Sequence, residues 1–174
     1  MMRRDILKTL QKEHDVLREL FADINTTTDR AKKSRAQLLE SIEGNLLPHA
    51  KWEEAVFYPA FAERADRDGL KTHAEALLEH HAVQKVVMPE VHAAEVDSPQ
   101  FAGRVKVFGE LIDHHAREEE STMFKLARKL FTPDELAEFD EQYEEWKQSA
   151  SATLVIAGEK RKTGFRAAVK SMTE

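Results

Sequence analysis

Residues 46–60 read LLPHAKWEEAVFYPA, and residues 112–126 read IDHHAREEESTMFKL. A shift of 66 residues lays one on the other: His49-Ala50 on His115-Ala116, Glu53-Glu54 on Glu119-Glu120, and Phe57-Tyr58 on Met123-Phe124. The same shift carries Glu13-His14 onto Glu79-His80. Each half therefore holds one His on a first segment and His-x-x-x-Glu on a second, with the two His 35 residues apart. An internal repeat of this kind predicts a duplicated structural unit.

The surrounding residues identify the unit as a helical hairpin. Ile6, Leu10, His14, Leu17, Phe21 and Ile24 step by three and four, as do Leu38, Ile42, Leu46, His49, Glu53, Val56 and Ala60. Leu70, His73, Leu77, His80, Gln84, Val87 and Val91 form a third stripe, and Val105, Phe108, Ile112, His115, Glu119, Thr122 and Leu126 a fourth. Such steps place one stripe per helix toward a shared core, whereas alternation of period two is weak throughout. Breaks at Asn25–Asp29, Ala65–Gly69 and Asp97–Gln100 are rich in turn residues, and short connections imply antiparallel neighbours.

Thr132-Pro133-Asp134-Glu135 reads as a helix start, with Thr as N-cap, Pro at the first position and Glu at the third. The expected fold is all-α: an antiparallel up-down-up-down four-helix bundle with an extra C-terminal helix and a mobile tail. The expected division is a bundle over 1–150 (core 5–130, fifth helix 133–150) and a basic C-terminal tail over 151–174. Pro48 falls inside the second helix, four residues after Gly44, and predicts a kink beside His49. Pro89 interrupts the third helix with no evident purpose.

In an antiparallel hairpin, residues equidistant from the turn share one height. The midpoints of His14/His49, Glu53/His80 and His80/His115 all fall in or beside the predicted turns. Six side chains thus converge on one layer, at stripe positions where apolar residues belong. A lone His on such a stripe is ordinarily a hydrogen-bonded core residue. Two ionised carboxylates among neutral imidazoles would cost several kcal/mol without a compensating charge, and a pair of metal ions supplies it.

Composition narrows the chemistry. The chain has 174 residues, eight His and no Cys, so zinc-thiolate sites, iron–sulfur clusters, disulfides and thiol nucleophiles are excluded. Any metal is held by N and O donors, a mixture that suits Fe, Mn or Zn. Residues i and i+4 are about 6 Å apart along a helix, so His49 and Glu53 can serve one metal or straddle two that lie about 3.5–4 Å apart. The net charge of −6 argues against nucleic acid as a general partner. Residues 155–174 contribute +3, so the remainder carries −9, and the basic end reads as solvated. No secretory signal and no membrane span is expected, the cytoplasm is the expected compartment, and the oligomeric state is left open.

These motifs resemble the haemerythrin family, specifically its HHE cation-binding branch. The resemblance rests on Glu13-His14, His49-x-x-x-Glu53-Glu54 with Tyr58-Pro59, Glu79-His80, and His115-x-x-x-Glu119-Glu120, and covers roughly residues 5–130. It implies a non-haem pair of iron ions with a bridging oxo or hydroxo group, and Zn or Mn as the alternatives. It implies His14, His49, His80 and His115 as terminal ligands and Glu53 and Glu119 as bridges. Two departures from the oxygen-carrying members stand out. Ala76 occupies the place of a fifth His, and the last acid is Glu at a four-residue step rather than Asp at five. The sparser shell favours a site that senses or reacts with O2, NO or peroxide over one that stores oxygen. Catalysis is left undecided, and no catalytic residue stands apart from the ligands. The alternatives are an iron- or oxygen-responsive interaction module without catalytic activity, or a bundle with a structural Zn or Mn pair.

Several neighbours compete for roles. His81 and His114 adjoin His80 and His115, but only the latter pair reproduces the 35-residue spacing. His73 shares the stripe but lies two turns from His80, about 10 Å by helical rise, which leaves it an indirect or packing role. His92 reads as a surface residue. Glu54 and Glu120 read as exposed residues, as auxiliary ligands filling the place left by Ala76, or as supports behind the ligands, and His81 is a candidate for the last two roles as well. Tyr58 reads as packing, or as a pocket wall or electron carrier. Phe21, Phe57, Met123 and Phe124 read as dry packing around the site.

Overall fold

A computed structural model of the chain describes residues 4–172. Asp5 opens the first helix by accepting the Leu7 amide hydrogen at 3.1 Å. Six helical segments follow: α1 (Ile6–Asn25), α2 (32–64), α3 (67–93), α4 (99–130), α5 (Pro133–Lys147) and α6 (Ala150–Ser171). Asp66, Ser98 and Ser149 cap α3, α4 and α6 in the same way. Thr132 and Glu135 form the reciprocal capping box at the start of α5. Helix α1 packs on α2 and α4, and α3 packs on the same two, which gives the expected up-down-up-down square. No described helix is long and apolar enough to cross a membrane.

The core consists of two apolar clusters. One gathers Ile6, Leu7 and Leu10 with Trp52, Phe57, Tyr58, Phe61, Met123 and Phe124. The other gathers Leu17, Phe21 and Ile24 with Ile42, Leu46, Leu47, Phe108 and Ile112. His14 lies between Leu10 and Leu17 on α1, so the histidine layer separates the two.

Three helices are interrupted by single π turns that the stripes did not predict: Glu53–Phe57 in α2, Val83–Val87 in α3 and Glu119–Met123 in α4. Each closes with an amide five residues past its carbonyl, as from Tyr58 to Glu53 and from Phe124 to Glu119. The widened turn shifts the buried face beyond it. Val56 and Ala60 are only half-buried, while Phe57, Tyr58 and Phe61 are fully enclosed. Met123, Phe124 and Ala127 likewise replace Thr122 and Leu126. Pro59 and Pro89 each sit just past a π turn, in the first turn of the resumed α-helix, where a missing N–H costs least. That accounts for Pro89. Pro48 lies inside an uninterrupted α-helical run, Lys32–Trp52.

The third stripe is also corrected. Leu70 and Leu77 are exposed, and the first part of α3, Arg67–Ala82, buries Gly69 and Ala76 in their place, while His80, Gln84 and Val91 of the stripe are buried as expected. Gly69 lies so near Ala65 that an added Cβ would come within 2.8 Å of the Ala65 side chain. Small residues bring α3 close where larger ones would hold it off.

Of the stretch read as a mobile tail, residues 151–171 form most of α6 instead, and residues 173–174 lie outside the described residues. That helix packs on α2, on α5 and chiefly on the last turns of α3. Its buried face is Ala152, Glu159, Thr163 and Ala167, with Ile156 half-buried. This stripe has helical spacing but small and polar residues, so a search for apolar periodicity passes over it.

Two glycines of α4 provide a test of the packing. A Cβ on Gly109 would meet the Phe21 ring at 2.9 Å, whereas Gly103 has nothing within 4 Å. Helix propensity favours Ala over Gly by about 1 kcal/mol at either position. We predict that Gly103→Ala raises the unfolding free energy by about that amount. Gly109→Ala should lower it by about 1 kcal/mol, because crowding a packed core costs about 1–3 kcal/mol. Urea denaturation of both variants decides the matter.

Candidate metal centre

The layer between the clusters is built from one residue of α1, two of α2, one of α3 and two of α4. His14, His49, His80 and His115 are 2–6% exposed, Glu53 is 0% and Glu119 1%. All six predicted residues meet there. His14 Nε2 faces His49 Nε2 at 3.1 Å, and His80 Nε2 faces His115 Nε2 at 3.0 Å. Glu53 lies between the pairs, with Oε1 3.1 Å from His49 Nε2 and Oε2 3.6 Å from His80 Nε2. Glu119 Oε2 is 3.3 Å from His14 Nε2 and 3.5 Å from His115 Nε2. Two donor groups result: His14, His49, Glu53 and Glu119 in one, and Glu53, His80 and His115 in the other, with each group's ligand atoms within 4.8 Å of one another.

The outer edges of the rings explain the inner ones. His14 Nδ1 donates to Glu120 (2.9 Å), His49 Nδ1 to Glu13 (2.9 Å), His80 Nδ1 to Glu54 (3.1 Å) and His115 Nδ1 to Glu79 (2.7 Å). A carboxylate only accepts, so Nδ1 carries the hydrogen and, in the neutral ring, Nε2 keeps a lone pair aimed inward. Imidazoles that ligate metals are held in this way. Both oxygens of Glu53 and Oε2 of Glu119 are buried without a hydrogen-bond partner. Inward lone pairs facing bare carboxylate oxygens repel one another unless cations lie between them. The donor set therefore fits a pair of metal ions with mixed imidazole and carboxylate ligands.

The charge balance points the same way. Burial alone would lower the pKa of His49, yet Glu53 and Glu13 drive it well above the ordinary imidazole value. His115 is raised likewise, against burial, by Glu119 and Glu79. Burial would raise the Glu119 carboxyl, but His115 and His14 hold it below the usual range. Without metal the carboxylates draw protons onto His49 and His115. Cations in the layer would replace those protons.

Glu54 and Glu120 are thus neither idle surface residues nor placed as ligands: each orients the imidazole of another helix. Glu13 and Glu79 do the same, a role that the sequence reading missed although both belong to the repeat. The signal was present in the 66-residue shift, but each Glu serves a His across the bundle rather than its chain neighbour. Most of these carboxylates are anchored in turn. Glu13 accepts from Tyr143 (2.7 Å) and Lys147 (3.0 Å) of α5. Burial would raise its pKa, and hydrogen bonds from His49, Tyr143 and Lys147 hold it at about 2. Glu54 takes Lys51 at 3.1 Å and Gln84, and Glu120 takes Arg18 at 3.0 Å. Among the described residues, the charged or hydrogen-bonding partners of the Glu79 carboxylate are the imidazoles of His114 and His115.

The repeat is broken at Tyr58, whose counterpart is Phe124. Phe124 stacks on His14, with centroids 6.0 Å apart. Tyr58, fully buried, donates its hydroxyl hydrogen to Glu119 Oε1 at 2.7 Å and stands 3.3 Å from His80 Nε2. Burial and the nearby Glu119 and Glu53 raise its pKa well above the phenol value, so it remains a donor. His73 packs edge-on against the Tyr58 ring at 6.0 Å and stays outside both donor groups. His81 and His114 are exposed. His92 lies at the surface and contacts the buried Glu43. Phe57 and Met123 pack in the cluster with Tyr58, while Phe21 belongs to the other cluster, against Phe108.

Comparison with known proteins agrees with this geometry. Residues 5–127 match the Hemerythrin HHE cation binding domain. A Nostoc sp. (strain PCC 7120) protein named DNA nickase is 25% identical over 145 residues, 82% of this chain, and the chain spans only 37% of that protein. The crystal structure of a Hemerythrin HHE cation binding domain-containing protein from Mycobacterium kansasii superposes with a TM-score of 0.72 at 22% identity, covering 98% of this chain and 99% of the other. The sparse identity over a complete shared fold is what a core set by helix geometry and a few polar residues allows. With its family profile matched over most of its length, the chain belongs to the hemerythrin HHE cation-binding domain family.

Proposed function

We propose that this protein holds two iron ions in the histidine layer and uses them to bind or transform a small molecule: O2, NO or peroxide. His14, His49, His80 and His115, with Glu53 and Glu119, are the residues that would hold them. The observation that carries the reading is the set of bare buried oxygens on Glu53 and Glu119 facing four inward Nε2 atoms. Paired iron supplies one-electron redox chemistry and Lewis acidity at neutral pH.

The chain's own residues define what happens around the ions. The carboxylates of Glu13, Glu54, Glu79 and Glu120 hold the rings in one tautomer and raise their basicity. Tyr58 keeps a neutral hydroxyl beside His80, with its one hydrogen on Glu119 and its oxygen able to accept a hydrogen bond from a ligand on that side, whereas Phe124 offers His14 neither. We assign the reactive position to the His80–His115 side for this reason. The clusters above and below exclude water. The ligand side chains are too deeply buried for a polymer to reach, which favours a small molecule over the DNA named for the Nostoc relative.

Two variants test the ligand assignment. His80→Ala should lose bound metal as read by elemental analysis, while His81→Ala should retain the wild-type content; the reverse would overturn the register. Adding peroxide to the iron-loaded chain and following oxygen evolution separates an enzyme from a non-catalytic module. We expect sustained evolution, and its absence with intact metal content would favour the module.

Metal removal gives a further prediction. Binding at 100 times the dissociation constant stabilises a fold by about 2.7 kcal/mol. For a chain of this size that is about 5–11 °C in melting temperature. Chelated protein should melt lower by roughly this interval in calorimetry and recover when ferrous ions are restored.

A further inference from the structure

The layer is closed on most sides. Beyond the His rings a small cavity of about 20 Å³ is walled by Leu17, Leu46, Leu47, Val83 and Ile112 together with the four imidazoles. Helix α5 covers the edge of His49 through Tyr143 and Lys147 on Glu13. Arg18 covers His14 through Glu120, and Lys51 covers His80 through Glu54. Glu159 of α6, 5% exposed, reinforces Lys51 at 3.4 Å.

One side differs. A cleft of about 410 Å³ opens between α3 and α4. Its deep residues are Ala76, His115, Glu119 and Met123, and its outer residues include Glu75, Glu79, His114 and Glu118. Among the described residues, four carboxylates line this cleft and no Lys or Arg does. Lys71 approaches Glu75 from outside at 3.7 Å, with both side chains exposed. At the inner end, Glu119 keeps Oε2 buried and without a hydrogen-bond partner. Ala76 adds the space that a larger side chain would fill.

We propose that this cleft is the portal by which hydrated divalent cations reach the metal layer. The outer carboxylates raise the local cation concentration, and Glu119 and His115 are the ligands at its inner end. A narrow cleft lined by one sign of charge focuses the field and accelerates capture of the opposite ion by 10–10³-fold. The same lining opposes anions. The inference rests on the two-metal reading above and adds the route to it.

The test is stopped-flow uptake of Co²⁺ by the metal-free full-length chain, followed by ligand-field absorption. Glu75 and Glu118 orient no imidazole in the layer, so Glu75→Lys with Glu118→Lys leaves the site itself intact. We expect uptake in this variant to slow by at least about fivefold at low salt, with a weaker dependence on ionic strength. Final stoichiometry and spectrum should match wild type. The control, Glu40→Lys with Glu141→Lys, makes the same change of net charge elsewhere and should take up Co²⁺ at nearly the wild-type rate. Equal rates in all three proteins, or equal slowing in both variants, would overturn the portal. Failure of the wild-type chain to bind Co²⁺ at all would instead overturn the two-metal reading.

Discussion

Everything in this structure is arranged around four imidazoles that turn their hydrogens outward and their lone pairs inward. A buried carboxylate ordinarily collects hydrogen bonds, and here Glu53 has none. The arrangement is unfavourable for protein atoms alone: anionic oxygens and ring lone pairs share one buried layer at separations of 3.1–3.6 Å. It becomes favourable with cations between them. The surrounding carboxylates fix the tautomer, and Lys147, Lys51 and Arg18 fix three of those carboxylates. Stability and metal affinity would be linked through one electrostatic balance, since the charges that would destabilise an empty layer are those suited to hold metal.

The duplicated hairpin explains the near-symmetry of the layer, and its exceptions give the two halves different tasks. Glu13–His49 repeats as Glu79–His115, and Glu54–His80 repeats as Glu120–His14 with the halves exchanged. Arg18 on Glu120 becomes Gln84 on Glu54. Tyr58 becomes Phe124, and Lys147 on Glu13 has only His114 as its counterpart on Glu79. The half that gains a hydroxyl is also the half whose outer carboxylate is least anchored and whose flank opens to solvent. A difference between the two metal positions is thus written into residues of identical rank in the repeat.

Much of this was legible from residue order. Steps of three and four locate the four bundle helices, and the shift of 66 with the 35-residue spacing picks His80 and His115 over their neighbours. The π turns were not legible, because nothing in EEAVF or EESTM distinguishes a widened turn from an ordinary one before packing chooses the buried face. Leu70 and Leu77 misled because apolar size suggested burial, whereas close approach of α3 selected Gly69 and Ala76. Helix α6 was missed because its buried stripe holds Ala152, Glu159, Thr163 and Ala167 rather than large apolar residues. Glu13 and Glu79 were visible as motif letters, but their partners are set by the pairing of helices across the bundle.

The central claim is that the layer holds two iron ions. Metal analysis of the aerobically purified chain, combined with its visible spectrum, tests it most directly. The account predicts two irons per chain and an oxo-to-iron charge-transfer band. Zinc alone, with no visible absorption, would contradict it.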